Sequence, residues 1–253
     1  MARLDQPAER ARTAVWRVLA VRWAVLDGVH AEGLLYEPSR PAPCAVVAVP
    51  DAGTAPEKLR AAQLFASAGC KVLVPLLVDR GDACSGSPLL GRWTNQTHRE
   101  WIHRMAFPVG RTVLGYEIQK VLAGVDWLES RSGSGRIGVY GEGEGGAVVL
   151  YAAALDARIA AAQSLGYFQQ RETRMWREPL YREVFGMLKD FGDAEAASLV
   201  APRTLIVAAE HAPLVETPVA RPGRSGAAPG TLEAVSVDSL QREAARADRK
   251  SVV

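Results

Sequence analysis

Two kinds of apolar spacing alternate along this chain, and each predicts an element. Val21–Leu26 and Ala31–Tyr36 are alternating runs on either side of Asp27-Gly28, a dipeptide suited to tight turns, so an antiparallel hairpin is expected first. Ala45–Val49 and Val72–Val78 are nearly continuous apolar runs of the kind that buried strands show, and Ile137–Tyr140, Ala160–Leu165 and Thr204–Ala208 repeat the pattern. Between these runs, apolar positions three and four apart predict helices. One carries Leu59, Ala62, Phe65 and Ala66, with Gly69 as its stop. A second carries Leu114, Ile118, Val121, Leu122, Val125 and Leu128 and ends at Ser132-Gly-Ser-Gly, and a third covers Ala147–Leu155. The alternation implies an α/β fold: a mainly parallel twisted sheet, helices on both faces, and right-handed crossovers.

Two stretches stand outside the alternation, the polar and aromatic segment 80–111 and the segment 168–197. Both follow strands on the side where open α/β sheets bind ligands, so a cap or pocket rim is expected there. Thr217–Thr231, rich in Pro, Gly and Arg, reads as an irregular linker, and Asp238–Lys250 as an exposed helix with Asp238 and Gln241 at capping-box spacing. The expected division is an extension over 1–20, a core domain over 21–216, and a linker with a polar helix over 217–253.

Charge and composition narrow the function classes. Lys and Arg number 30 against 28 Asp and Glu, a formal charge of +2, so nothing chain-wide points to nucleic acid or anionic lipid as a partner. The apolar stretch Ala14–Leu26 is broken by Arg17 and Arg22 and fails as a signal core or a membrane span. The location stays open from sequence: cytoplasmic is expected if the chain is complete, and export is allowed if it is a fragment. Cys44, Cys70 and Cys84 are odd in number and lack C-x-x-C spacing, which argues against a disulfide framework or thiolate zinc site; Cys44 and Cys70, at strand starts, read as small core residues.

The chemistry turns on Gly141-Glu142-Gly143-Glu144-Gly145-Gly146, which follows the strand Ile137–Tyr140 and runs directly into a helix. A strand ending in Gly-x-Ser-x-Gly before a helix is a nucleophile elbow, whose small flanking residues allow a strained turn that exposes the hydroxyl. Here the central residue is Gly143. A phosphate cradle is the other reading of such glycines, but Glu142 and Glu144 would set negative charge beside the phosphate and no Gly-Lys-Ser/Thr follows, so no cofactor is expected.

With this turn, the chain resembles the α/β-hydrolase superfamily, in particular the branch of dienelactone hydrolases and acetylxylan-esterase-like proteins. The resemblance rests on Gly115–Glu129, Arg136–Gly146, Ala153–Ile159 and Ala201–Val207, and covers about Val21–Val215. It implies an α/β-hydrolase fold opened by the antiparallel hairpin. It also implies a Ser-His-Asp triad whose nucleophile position is Gly143 and whose acid position, after the strand Thr204–Ala208, is Ala212. The triad histidine would follow one more strand, yet His211 is the last histidine and no further strand pattern precedes Val253, so the fold is expected to be incomplete at its C-terminal end.

Several residues offer chemistry that could replace a triad. Glu142 and Glu144 flank the turn, with a bland reading as solvent- or loop-bonded carboxylates at a helix N-terminus. His98 and Arg99 lie in Trp93–Arg104, the segment richest in chemically capable side chains and suited to a small polar, ester or carbohydrate-like ligand. His98 and His103 are five apart and do not share a helical face, so no metal is expected. Glu210 and His211 are adjacent at a strand end, where side chains diverge. Asp51, Ala52 and Gly53 follow the strand whose loop would lend an oxyanion-hole N–H, with the N–H of Glu144 as the other donor. Tyr167, with Trp176 and Tyr181, reads as packing of the second insertion or as a ligand-stacking ring. Two functions follow as expectations: a hydrolase-like binding domain without triad chemistry, or an ester or acyl hydrolase using a rearranged site or residues beyond this chain.

Overall fold

The protein is described here from a computed structural model covering residues 2–3, 8–132 and 136–251. Two short strands, β1 (Ala2–Arg3) and β2 (Glu9–Arg12), pair antiparallel with β3 (Trp16–Leu26). β3 then turns at Asp27-Gly28 into β4 (Val29–Pro38), and Gly28 takes a φ of 68°, the left-handed conformation that the tight turn needs. The continuous apolar runs become β5 (Cys44–Val49) and β6 (Lys71–Pro75), joined by α1 (Arg60–Ser67). A small hairpin, β7 (Gly86–Ser87) with β8 (Arg92–Trp93), opens the first insertion, which continues as α2 (His98–Ala106). Then come α3 (Val113–Ser132), β9 (Arg136–Glu142), α4 (Glu144–Leu155), β10 (Ile159–Leu165), α5 (Asp193–Ser198) and β11 (Thr204–Ala208). The expected helix stop at Ser132-Gly-Ser-Gly reaches into 133–135, outside the described residues.

The main sheet has nine strands in the order β1-β3-β4-β6-β5-β9-β10-β11, with β2 off the path beside β3. From β6 to β11 every pairing is parallel, and β4 joins β6 antiparallel. Successive side chains leave opposite faces of a strand, and the core divides accordingly. Val47, Val49, Leu73 and Val139 pack with α3, α4 and α5 on one face, while Val46, Ala48, Val72, Val74 and Tyr140 pack with Leu59, Ala62 and Ala66 around α1 on the other. Helix α4 is buried almost all round, which explains why its sequence lacks a polar face.

Four readings are corrected. Helix α4 starts at Glu144, not near Ala147, because the glycine turn itself forms its first turn. Cys44 and Cys70 form a disulfide, with Cα atoms 4.9 Å apart. Their positions at the starts of the adjacent strands β5 and β6 bring them together, which spacing in sequence cannot show. The Pro- and Gly-rich stretch is no free linker. β12 (Val215–Thr217) pairs with β13 (Gly230–Leu232), and the loop between them lies on the first insertion. There Asn95 donates to the Val219 carbonyl at 3.3 Å, Gln96 to the Gly226 carbonyl at 2.9 Å, and Glu100 accepts the Ala228 N–H at 2.9 Å. The last helix, α6 (Val237–Ser251), is docked rather than exposed: Leu240, Ala244 and Ala247 join the core, and Glu243 accepts the N–H of Ala194 at the start of α5 at 2.7 Å. Among the described residues no helix is long and apolar enough to cross a membrane.

The disulfide closes a loop of 26 residues by sequence separation. By the loop-entropy relation such a cross-link stabilises by about 3 kcal/mol. The Cys44→Ala, Cys70→Ala pair is therefore expected to unfold at lower denaturant than the parent in non-reducing buffer, and dithiothreitol should lower the parent's midpoint without affecting the double variant.

Candidate functional site at the glycine turn

Because β5 and β9 run parallel side by side, with Val49 opposite Gly141, the loops leaving their C-terminal ends must meet. One carries Pro50-Asp51-Ala52-Gly53 and the other the glycine turn. Gly143 has φ 55° and ψ −116°, a conformation strained for a side-chain-bearing residue, and its N–H donates to the Leu165 carbonyl at 2.9 Å. Gly145 admits the close approach: a Cβ there would run into the Val49 and Pro50 carbonyls.

The space beside Gly143 is filled by Asp51. A Cβ built on Gly143 would overlap that carboxylate, with Oδ1 nearest and Cγ at 2.9 Å, and would touch Pro213 Cδ at 3.0 Å. Asp51 Oδ1 accepts the backbone N–H of Glu144 at 3.0 Å, and Oδ2 accepts the N–H of Gly53 at 3.0 Å. Arg80 forks onto the same carboxylate, Nη2 to Oδ1 at 2.8 Å and Nη1 to Oδ2, the bidentate geometry that suits guanidinium and carboxylate. Burial acts to raise the Asp51 carboxyl, but the Arg80 hydrogen bonds and charge, with the two N–H donors, hold it down at about 2.

Glu144 is buried and turns away from solvent, which corrects its reading as a solvent- or loop-bonded helix-start carboxylate. Its Oε1 accepts Arg182 Nε at 2.9 Å and Arg80 Nη2 at 3.4 Å, and its Oε2 lies 3.7 Å from Arg99 Nη2. Burial opposes its charge, and the charges of Arg182, Arg99 and Arg80 overcome that and lower its pKa. Arg99 is itself buried, forked onto Glu117 at 2.8 Å through both Nη atoms and donating to the Val78 carbonyl at 2.9 Å. Tyr181 completes the group: its hydroxyl accepts Arg80 Nε at 3.2 Å and its ring lies beneath Arg99 at 5.0 Å.

The network continues into the second insertion. Arg182 Nη1 also meets Glu178 at 3.4 Å, and Arg171 pairs with Glu178 at 2.8 Å and Asp193 at 2.9 Å while covering the Tyr167 ring at 3.8 Å. Tyr167 is thus buried beneath arginine and beside Tyr151. Along this chain of contacts four arginines, 80, 99, 171 and 182, face five carboxylates, 51, 117, 144, 178 and 193. Burial raises the Asp193 carboxyl to about 6 against the pull of Arg171, and the charges of Glu243 and Glu178 add to the rise.

The remaining sequence candidates lie apart from this group. His98 receives the Cys84 N–H at Nε2 (2.8 Å) and bonds Asp79 through Nδ1 (2.7 Å), which pins the loop before α2. His103 is buried against Phe107, and burial, with Arg104 and Arg99 nearby, lowers its pKa to about 4, so the ring is neutral at pH 7. Glu142 accepts the Tyr140 hydroxyl and lies 3.8 Å from exposed His211, while Glu210 is exposed. Ala212 packs against Gly166. Among the described residues no group of His, Cys, Asp and Glu is arranged to hold a metal ion. No sequence motif marks Arg80, Glu117 or Arg182, while Tyr181, expected as packing of the second insertion or as a stacking ring, lies among them. The four come from 29 to 131 positions after Asp51 and no spacing relates them.

The two displaced carboxyls predict opposite pH dependences. Asp51 is ordinarily near 3.8 and is held at about 2, so its contribution is present above about pH 4 and is lost as pH falls toward 2. Asp193 is raised to about 6, so the folded state keeps a proton that the unfolded chain gives up, and stability falls as pH rises from about 4 to 6, by about 3 kcal/mol. Urea unfolding from pH 3 to 7 should show the parent's decline between pH 4 and 6 flattened in Asp193→Asn, and the loss below pH 4 reduced in Asp51→Asn.

Comparison with known proteins agrees with this architecture. A sequence model of the dienelactone hydrolase family matches residues 31–177, more than half of the chain. None of the curated proteins matches it in sequence. Among solved structures it is similar to a Bacteroides fragilis protein described as an acetyl xylan esterase (TM-score 0.62, 16% identity, 79% of this chain and 60% of that one). It is also similar to a glucuronoyl esterase from Solibacter usitatus (0.57, 15%, 99% and 75%) and an acetyl xylan esterase from Paenibacillus sp. R4 (0.54, 19%, 76% and 68%). The chain thus spans 60% of the length of the Bacteroides protein. Likeness at such identities shows the fold, the α/β-hydrolase fold, and with the family match it follows that this chain belongs to the dienelactone hydrolase family.

Proposed function

We propose that this chain is a hydrolase-fold protein without Ser-His-Asp chemistry, acting as a binding or scaffold domain in which the usual acyl-transfer site is closed by ion pairs. In such a site the serine forms the covalent bond, the histidine moves its proton and the acid orients the imidazole. The nucleophile position is Gly143 and the acid position Ala212. The observation that carries the reading is Asp51. Its carboxylate fills the space a side chain at 143 would need, and it accepts the Glu144 N–H that would otherwise face a substrate oxyanion. An oxyanion developing there would meet a fixed negative charge, the reverse of what stabilises a tetrahedral intermediate.

Glu144 is a poor substitute base, since three arginines keep it ionised and engaged. The competing reading is an ester or acyl hydrolase with a rearranged site drawing on Glu142, Glu144, His98, Glu210 or His211, or completed by residues beyond this chain. The family and the esters named for the structural neighbours favour it, and they make a carbohydrate or ester the first ligand class to screen.

Purified protein is expected to show no turnover of p-nitrophenyl acetate or acetylated xylo-oligosaccharides above a mock preparation. Turnover abolished by Glu144→Gln or His98→Ala would overturn the proposal. Independently, Gly143→Ala should destabilise by about 2–4 kcal/mol. Combined with Asp51→Gly, the two changes should be non-additive by about 1–3 kcal/mol, as for residues sharing one space; strict additivity would remove Asp51 from that role.

A further inference from the structure

We propose that the opposite end of the sheet carries a binding site for an acidic saccharide. A groove of about 490 Å³ opens where β3 and β6 begin and β4 ends, lined by Arg12, Trp16, Arg17, Glu37, Arg40 and Lys71, among others. β5 and β6 start here and end toward Asp51 and the glycine turn, so a strand's length of roughly 20 Å separates this groove from that site. Nothing bound here would reach Gly143.

The charge inventory identifies the ligand. Arg12 is held by Glu9 through Nε at 2.7 Å, and Arg17 by Glu37 at 2.9 Å. Arg40 and Lys71 have no carboxylate partner among the described residues, so two positive charges are left to face the groove. Unpaired cations around one cleft favour an anionic group, carboxylate or phosphate. Trp16, half-buried and packed edge-on to Tyr36 at 5.4 Å, supplies a ring surface in the same cleft. Glu37 and Ser39 add hydrogen-bond acceptors beside the donors. A hydroxyl-rich acid uses all of these, cations for its carboxylate and acceptors for its hydroxyls.

The walls are rigid before any ligand arrives. Pro38, Pro41 and Pro43 restrict the strand-to-strand loop, and the Cys44–Cys70 disulfide ties its end to the residue preceding Lys71. Preorganised walls reduce the ordering cost of binding.

The test is titration calorimetry on the full chain with trigalacturonate, xylotriose, inorganic phosphate and a single-stranded oligonucleotide. Saturable binding of trigalacturonate and none of xylotriose is expected, weakened when salt is raised to about 0.5 M from about 0.1 M, roughly a twofold Debye-length reduction. Arg40→Ala and Lys71→Ala should each weaken it about three- to tenfold with melting temperature unchanged, and Trp16→Phe should remove any ligand-induced fluorescence change. The proposal is overturned by no trigalacturonate binding, by affinity indifferent to Arg40 and Lys71, by phosphate binding as tightly as the trisaccharide, which marks a simple oxyanion site, or by preference for the oligonucleotide.

Discussion

The fork of Arg80 on Asp51 is the interaction around which this end of the molecule is arranged. It brings a carboxylate to the N-terminus of α4, where the helix dipole and the free Glu144 N–H favour it, and it frees Asp51 from the cost of an unpaired buried charge. Once Asp51 is there, residue 143 has room only for hydrogen. Glu144, one position on, is then turned inward to Arg182 and the Arg80 edge, and Arg99 closes the group by sharing itself between Glu117 and Glu144. Each arginine answers to more than one acid, so removing any one would leave charge stranded in the interior, a loss of several kcal/mol, whereas the intact group contributes mainly by fixing a unique arrangement.

The arginines explain what the two insertions do. Segment 80–111 supplies Arg80 and Arg99, and segment 168–197 supplies Arg171 and Arg182. Both lie where a rim or cap would lie over an open α/β site, and both extend their cations downward onto the acids at the ends of β5 and β9 and beyond. The stretch after Thr217 then seals the first insertion through Asn95, Gln96 and Glu100, and α6 seals the second through Glu243. The C-terminal ends of β5 and β9 are thus covered by ion-paired side chains of these loops. The strand-start end, stapled by a disulfide and bordered by proline, remains an open, positively charged groove.

Sequence periodicity was sufficient for most of the architecture because it reports local, repeated physics. The turn at Asp27-Gly28, the buried runs of β5 and β6 and the three- and four-residue spacing of α3 all follow from burial and backbone freedom, and they reappear as elements in the structure. The elements that periodicity does not specify share the opposite property. The linker after Thr217 and the polar helix α6 owe their order to side chains far away in the chain, and the Cys44–Cys70 bridge to the crossover that makes β5 and β6 neighbours.

By itself, then, the sequence determined the fold and the identity of the residue at the turn: Gly143, and Ala212 after the strand Thr204–Ala208. Only the tertiary structure decided what stands in the place beside Gly143. Asp51 and Glu144 read as oxyanion-hole neighbours from their positions, and folding placed the first beside Gly143 as acceptor of the Glu144 N–H and made the second a buried partner of three arginines. The reason is physical. A long guanidinium side chain can deliver its charge to an acid tens of residues away, and which acid it meets depends on how the sheet stacks its loops and on the cost of leaving any one of those charges alone.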